Sequence, residues 1–250
     1  MPPVQEERHN FCVCTIAACN ALPSVVLLAQ SFHRHHPGIE MRVLLVDAPP
    51  AYETRDLPFK VVLPADLPLD PDEFGRMATY YDATELSTAL KPTLLRGLLA
   101  SFSAVVYLDP EIELFAPITD LFELAVQHGV ALTPHVMTPI PRDGLGGVEE
   151  TVLLSGQFNL GFIGIGASAL PFVDHWEERT RRHSLIDHAI GFTDQRWVDA
   201  VPSLFEHAIV RDPGCNVAYW NLHERELTYD ETRGWQVDGA ALRFFHFSGH

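Results

Sequence analysis

An apolar run, Ala104-Val105-Val106-Tyr107-Leu108, ends abruptly in Asp109-Pro110-Glu111. A buried strand that delivers two carboxylates, two residues apart, to its carboxyl end is suited to holding a divalent cation. The side-chain period of two in extended backbone puts Asp109 and Glu111 on the same side. Mg²⁺ and Mn²⁺ favour oxygen ligands of this kind, usually one or two carboxylates with substrate phosphates completing the shell. The rival is a strand end carrying two solvated acids, which is what an isolated Asp-x-Glu ordinarily means. The other elements of the chain decide between the two.

Those elements alternate. Phe11 to Ala18 predicts a buried strand, followed from Asn20, with Pro23 in the first turn, by a helix reaching about His36. Met41 to Asp47 is a second apolar strand ending in an acid, and Phe59 to Leu63 a third. From about Asp82 to Ser101 the stripe Leu86, Leu90, Leu94, Leu95 and Leu98 predicts a helix. The Ala104–Leu108 strand comes next, then a helix over Ile118–His128 and a strand over Gly129–Thr133. The second half predicts a strand at Phe158–Ile165, helices at Ala169–Arg182 and Thr193–Val201, and short strands to the end. Continuous apolar strands alternating with helices predict an α/β sheet, mixed but mostly parallel, with helices on both faces. Active sites in such sheets lie at the carboxyl ends of the strands, where Asp47 and Asp109 both fall. The Gly-rich stretch within Pro139–Val148 lacks the spacing of a phosphate-binding loop and predicts a lid or a plain turn.

At 250 residues and 47% hydrophobic, the chain fits one domain, 1–250, with a nucleotide-binding half at 11–134 and an acceptor half at 150–250. The formal net charge of −16, from 17 basic and 33 acidic residues, argues against nucleic acid or an anionic membrane as partner. Residues 1–10 are polar and acidic rather than signal-like, and no apolar run approaches the ~18–20 residues of a membrane span. Cys12, Cys14, Cys19 and Cys215 match no zinc or iron–sulfur spacing. A reduced, cytoplasmic setting is the expectation. Lys60 and Lys91 are the only lysines, so either one at a site is informative.

Further pieces accompany the carboxylate pair: Leu90-Lys91-Pro92, Phe158-Asn159-Leu160-Gly161-Phe162, Thr193-Asp194-Gln195, Asn216-Val217-Ala218-Tyr219-Trp220-Asn221, and Phe245-His246-Phe247-Ser248-Gly249. In this order, over roughly residues 11–249, they resemble the nucleotide-sugar-dependent glycosyltransferases of the GT-A fold, in particular the glycogenin and lipopolysaccharide-galactosyltransferase-like retaining group. The resemblance implies a Rossmann-like GT-A domain that transfers a hexose from a UDP-sugar, with UDP-glucose or UDP-galactose the default, to a hydroxyl on a glycan, a lipid-linked sugar or a small molecule. It implies Mn²⁺ or Mg²⁺ held by Asp109, Glu111 and His246 in a D-x-D-like motif, with Asp109 also facing the donor. Lys91 would neutralise phosphate or contact the donor sugar, Thr15, Ala17 and Asn20 would line the nucleotide loop, and Asp47 would face the base or ribose. Asp194 and Gln195 would stand beside the anomeric carbon, where Thr193 or Asp194 could equally cap the helix that follows. Asn159 must be hydrogen-bonded either to neighbours in the sheet or to sugar hydroxyls.

The resemblance also has departures. Glu111 stands where the group carries Asp, and the terminal motif stops at His250, before the group's phosphate-contacting lysine. Lys91, Arg76, Arg96 or His250 would then supply that charge. A non-catalytic nucleotide-sugar binder is the alternative. A nucleotidyltransferase is a more distant one, since Ala17-Ala18-Cys19-Asn20 is no glycine- and arginine-rich loop.

Overall fold

The apolar runs of the sequence become the strands of one sheet in a computed structural model that describes residues 10–49, 51–52, 56–144, 149–187 and 191–249. In chain order, β1 (Phe11–Ala17), α1 (Leu22–His35), β2 (Glu40–Leu45), β3 (Lys60–Val62), α2 (Pro71–Tyr80) and α3 (Ala83–Leu99) lead to β4 (Ala104–Leu108) and β5 (Ile112–Leu114). Then come α4 (Thr119–His128), β6 (Val130–Pro134), α5 (Glu149–Ser155), β7 (Phe158–Gly166) and α6 (Leu170–Thr180). Shorter pieces follow: β8 (Ile186–Asp187), β9 (Gly191–Phe192), α7 (Gln195–Val198), α8 (Val201–Leu204) and β10 (His207–Ile209). The last are β11 (Leu227–Asp230), β12 (Gly234–Val237), β13 (Ala240–Ala241) and β14 (Phe244–His246).

Seven strands form the central sheet in the order β10-β6-β7-β4-β1-β2-β3. Every pair is parallel except those of β7, which runs antiparallel to both β4 and β6. The sheet is therefore mixed and mostly parallel, as the pattern predicts. Alternate residues of β1 serve opposite faces: Cys12, Cys14 and Ile16 pack with α3 and α6, whereas Val13 and Ala17 pack with α1 and α4. Burial on both faces is why these strands read as continuous apolar runs.

The helix α3 begins at a reciprocal cap, with Asp82 accepting from the Glu85 amide and Glu85 accepting from the Asp82 amide. Its predicted leucine stripe is buried throughout. One expectation changes. The single helix over Thr193–Val201 is two short ones, α7 and α8, with Pro202 in the first turn of α8. The predicted loop over Pro139–Val148 is described only as far as Gly144, so the rest of that expectation lies outside the described residues. Among the described residues no helix is long and apolar enough to cross a membrane.

Candidate functional site

Asp109 leaves β4 and enters a tight turn, closed by the Ile112 amide donating to the Asp109 carbonyl at 3.1 Å. The two acids are thus brought together by a turn rather than by the period of an extended strand. After the turn, β5 pairs with β14 so that His246 lies opposite Ile112, and the Phe247 amide donates to the Glu111 carbonyl. This clip places His246 Nε2 3.5 Å from Asp109 Oδ2 and 3.6 Å from Glu111 Oε1. Ligand atoms of all three residues lie within 4.8 Å of one another. His246 is 2% exposed, while the acids are partly open to solvent.

The protonation pattern of His246 follows from its neighbours. Asn159 Oδ1 accepts the Gly161 amide at 3.1 Å. Because a backbone N–H can only donate, that end of the Asn159 side chain is its carbonyl oxygen. The same oxygen lies 3.1 Å from His246 Nδ1 and so must accept a proton from it. Nδ1 carries hydrogen in either charge state, and Nε2, buried and without a hydrogen-bond partner among the described residues, is left facing two carboxylates. Only a proton or a cation satisfies that arrangement. Two acids and an imidazole are a donor set that suits Mn²⁺ or Mg²⁺ chemistry, so the residues present fit a divalent ion.

Other groups fix the acids in place. The Tyr107 hydroxyl donates to Asp109 Oδ1 at 2.8 Å, and burial pushes the Tyr107 hydroxyl well above its ordinary range, so it stays a donor. Burial also pushes the Asp109 carboxyl up, Lys91 pulls it back, and Glu111 adds to the rise. Gly161 lies beneath the His246 ring. A Cβ there would fall 2.3 Å from His246 Cε1, so only glycine leaves room for the imidazole.

Lys91 is neither the solvated helix lysine of its bland reading nor an open phosphate contact. It is 2% exposed, with Nζ 3.2 Å from Asp194 Oδ2, donating to the Leu160 carbonyl at 3.0 Å and 4.3 Å above the centre of the Tyr107 ring. Asp194 in turn does not cap α7: it makes no capping bond, accepts from the Thr193 hydroxyl, and sits 2% exposed against Lys91. Burial raises its carboxyl above the ordinary range against the pull of Lys91. Thr193, at φ 48, holds a left-handed backbone unusual for a β-branched residue, the kind of strain that clusters at functional sites. Gln195 is tied at both ends, accepting from the Leu160 amide at 2.8 Å and donating to the Ser155 carbonyl at 2.6 Å.

The other expected residues lie elsewhere. Thr15 and Ala17 are buried inside β1, not in the loop after it, and only Asn20 of that group is exposed. Asp47 is exposed and accepts from the Cys19 amide at 2.7 Å, joining the loop after β1 to the end of β2. Arg76 and Arg96, expected to contact phosphate, are engaged with Glu73 at 2.6 Å and Glu177 at 2.6 Å. His250 lies outside the described residues. The four cysteines are free, and burial pushes the Cys12 thiol up to about 12.

Sequence reasoning assigned no role to Thr133, His135, Asn216, Asn221 or Trp220, which surround Asn159 and His246. Asn216 Nδ2 donates to Asn159 Oδ1 and to Thr133 Oγ1, each at 3.2 Å, and Asn221 Nδ2 donates to the carbonyls of His135 and Asn216. Trp220 packs edge-on against both His246 and His135. The only signal was a run of asparagines and aromatics, Asn216 to Asn221, whose convergence depends on the fold.

The order and direction of the strands, with helices on both faces, are those of the GT-A fold. Among solved structures, the chain is similar to the galactosyltransferase LgtC in complex with donor and acceptor sugar analogs, with a TM-score of 0.56 at 15% identity, covering 95% of this chain and 87% of that one. It is also similar to a glycosyltransferase involved in glycosylation of the major capsid of PBCV-1, with a TM-score of 0.54 at 12% identity over 96% and 93% of the two chains. Mouse xyloside xylosyltransferase 1 has a TM-score of 0.54 at 13% identity, over 96% and 98%. Among curated proteins, two uncharacterized proteins of Bacillus subtilis (strain 168) are similar. YfnF is 24% identical over 245 residues, covering 95% of this chain and 80% of that protein, and YfnD is 24% identical over 251 residues, covering 96% and 78%. No protein-family model matches the chain.

Proposed function

We propose that this chain is a metal-dependent glycosyltransferase that moves a hexose from a nucleotide diphosphate sugar, UDP-glucose or UDP-galactose, to a hydroxyl acceptor with retention of configuration. The observation that carries the proposal is His246 Nε2, buried, unpartnered and facing Asp109 and Glu111 at 3.5 and 3.6 Å. These three residues would hold Mn²⁺ or Mg²⁺, which when bound neutralises the charge that develops on a departing diphosphate. Tyr107 occupies one oxygen of Asp109 and leaves the other turned toward His246. Lys91 pairs with Asp194 at 3.2 Å and pulls down the neighbouring Asp109 carboxyl, and Asp194 would be placed to stabilise positive charge developing on a sugar ring. Gln195, locked to backbone on both sides, holds β7 to the start of α7 and so keeps Asp194 in register with Asn159 and Gly161. Asn20 and Asp47, at the exposed ends of β1 and β2, would meet the nucleotide, with Thr15 and Ala17 shaping the strand beneath it. The acceptor is a glycan, a lipid-linked sugar or a small molecule. The four free cysteines suit a cytoplasmic setting.

A second reading, a nucleotide-sugar binder without transfer, is favoured by one observation: Lys91, Arg76 and Arg96 are all committed to internal ion pairs. Hydrolysis and transfer assays with a panel of nucleotide sugars, with Mn²⁺, Mg²⁺ or EDTA, separate the two. The enzyme reading expects metal-dependent turnover that Asp109→Ala lowers by more than about 100-fold, beyond the loss typical of a residue that only supports a ligand. Turnover unchanged in Asp109→Ala would overturn it. Metal-dependent UDP binding with no turnover across a broad acceptor panel would establish the binder.

A further inference from the structure

The polar groups behind His246 form a chain with a fixed direction. It begins at the Gly156 carbonyl, which accepts only, so His135 Nδ1, 2.7 Å away, must donate to it. Burial lowers the His135 imidazole to about 4, so its Nε2 is a bare acceptor at neutral pH, and the Asn159 amide nitrogen lies 3.3 Å from it. The Asn159 oxygen at the other end of that amide accepts from Gly161 N–H, from Asn216 Nδ2 and from His246 Nδ1. Rotating the Asn159 amide would put NH₂ against the Gly161 amide and the Asn216 NH₂, and oxygen against the bare His135 Nε2, breaking those three contacts. Asn216 adds its donor at a cost: it is fully buried, its backbone sits at φ 53, and its own Oδ1 has no partner. Asparagine is one of the few residues besides glycine that takes this conformation readily, so position 216 can combine the left-handed turn with a buried amide donor.

We propose that Asn159 and Asn216 are positioning residues that keep a proton on His246 Nδ1 and so turn Nε2 toward Asp109 and Glu111 as the ligating atom. The inference rests on the metal-site reading and assigns Asn159 an inward role, toward His246, in place of contact with sugar hydroxyls. Its direction comes from two backbone groups, the Gly156 carbonyl and the Gly161 amide, neither of which can reverse. Asn159 therefore acts on a bound cation only through His246, in the way that hydrogen bonds behind a ligating histidine set its tautomer and orientation.

The test uses the metal-free full chain with ¹⁵N-labelled histidine, followed by titration with Mn²⁺ alone. Wild type should show a proton on His246 Nδ1, in the imidazolium and in the neutral ring alike. Asn159→Ala should show a tautomer mixture and bind Mn²⁺ about 10–100-fold more weakly, with an unchanged far-UV spectrum. Asn159→Asp keeps the oxygen acceptor and should recover most of the affinity. Asn216→Gly tolerates the left-handed backbone while deleting the amide, so it should fold and lose affinity to a smaller degree. A neutral His246 protonated on Nε2 in wild type, or equal Mn²⁺ affinity in Asn159→Ala and wild type, would overturn the proposal. Wild type that binds no Mn²⁺ would instead sink the metal reading, and the tautomer would still decide the role of Asn159.

Discussion

At the scale of single residues, the site depends on one absent side chain and one buried charge. Gly161→Ala would push a methyl into the imidazole of His246 and toward Asn159 Oδ1, at 2.3 and 2.8 Å. It should weaken Mn²⁺ binding by at least about tenfold while the sheet stays intact, as read by calorimetry beside circular dichroism. Lys91→Met leaves Asp194 buried without its counter-charge, which should cost about 3–5 kcal/mol in denaturant unfolding. The double variant Lys91→Met, Asp194→Leu should recover much of that stability but no turnover, since an apolar pair replaces a salt bridge well in packing and not in chemistry. Much of the triad was legible beforehand: an apolar strand ending in two acids, and a histidine among aromatics near the last strand. The scarcity of lysine drew attention to Lys91, yet nothing local could reveal Asp194 as its partner, because the contact joins the middle of α3 to the start of α7. Asn216 was illegible for the same reason, since its value lies in what it faces.

At the scale of elements, long patterns were readable and short ones were not. β1, β4 and β7 are continuous apolar runs, and α3 has both a leucine stripe and a reciprocal cap. Asp82→Ala removes that cap and should cost about 1 kcal/mol, seen as a lower unfolding midpoint with unchanged slope. By contrast α2 went unread because its only deeply buried residues are Met77 and Glu73, too few to set a periodicity. The pairing of β5 with β14, three residues each, has no signature in either segment, although it delivers His246 to the acids. The break between α7 and α8 was missed because apolar spacing carries smoothly across Asp199–Val201. Glu73 makes α2 matter: it accepts from Arg182, just beyond α6, and from Arg76.

At the scale of the whole molecule, stability should fall on acidification in two overlapping windows. His135 titrates at about 4 folded against 6.5 ordinarily, so between those values the unfolded chain binds more protons and stability drops as pH falls. Glu73 is held down to about 2, by hydrogen bonds from Arg182 and then Arg76, against 4.5 ordinarily. Its contribution is complete above about 4.5 and is lost as pH falls toward 2. Urea midpoints measured from pH 7 to pH 3 should therefore decline, and His135→Gln should flatten the upper part of the decline; a profile rising toward pH 5 would contradict the His135 assignment, and one flat below pH 4.5 in His135→Gln the Glu73 assignment. The groups that meet at the site come from distant parts of the chain, with His246 and Asn159 lying 87 positions apart. Closing such long loops is slow compared with forming helices and neighbouring strands. The pairing of β1 with β4 at the centre of the sheet, Phe11 opposite Ala104, is longer-range still, so the central sheet and the cation site should form in the same slow phase, after the helices. Trp220, wedged against His246 and His135, is a built-in witness to that slow phase: its emission should reach the native value only after the helical part of the far-UV signal has returned.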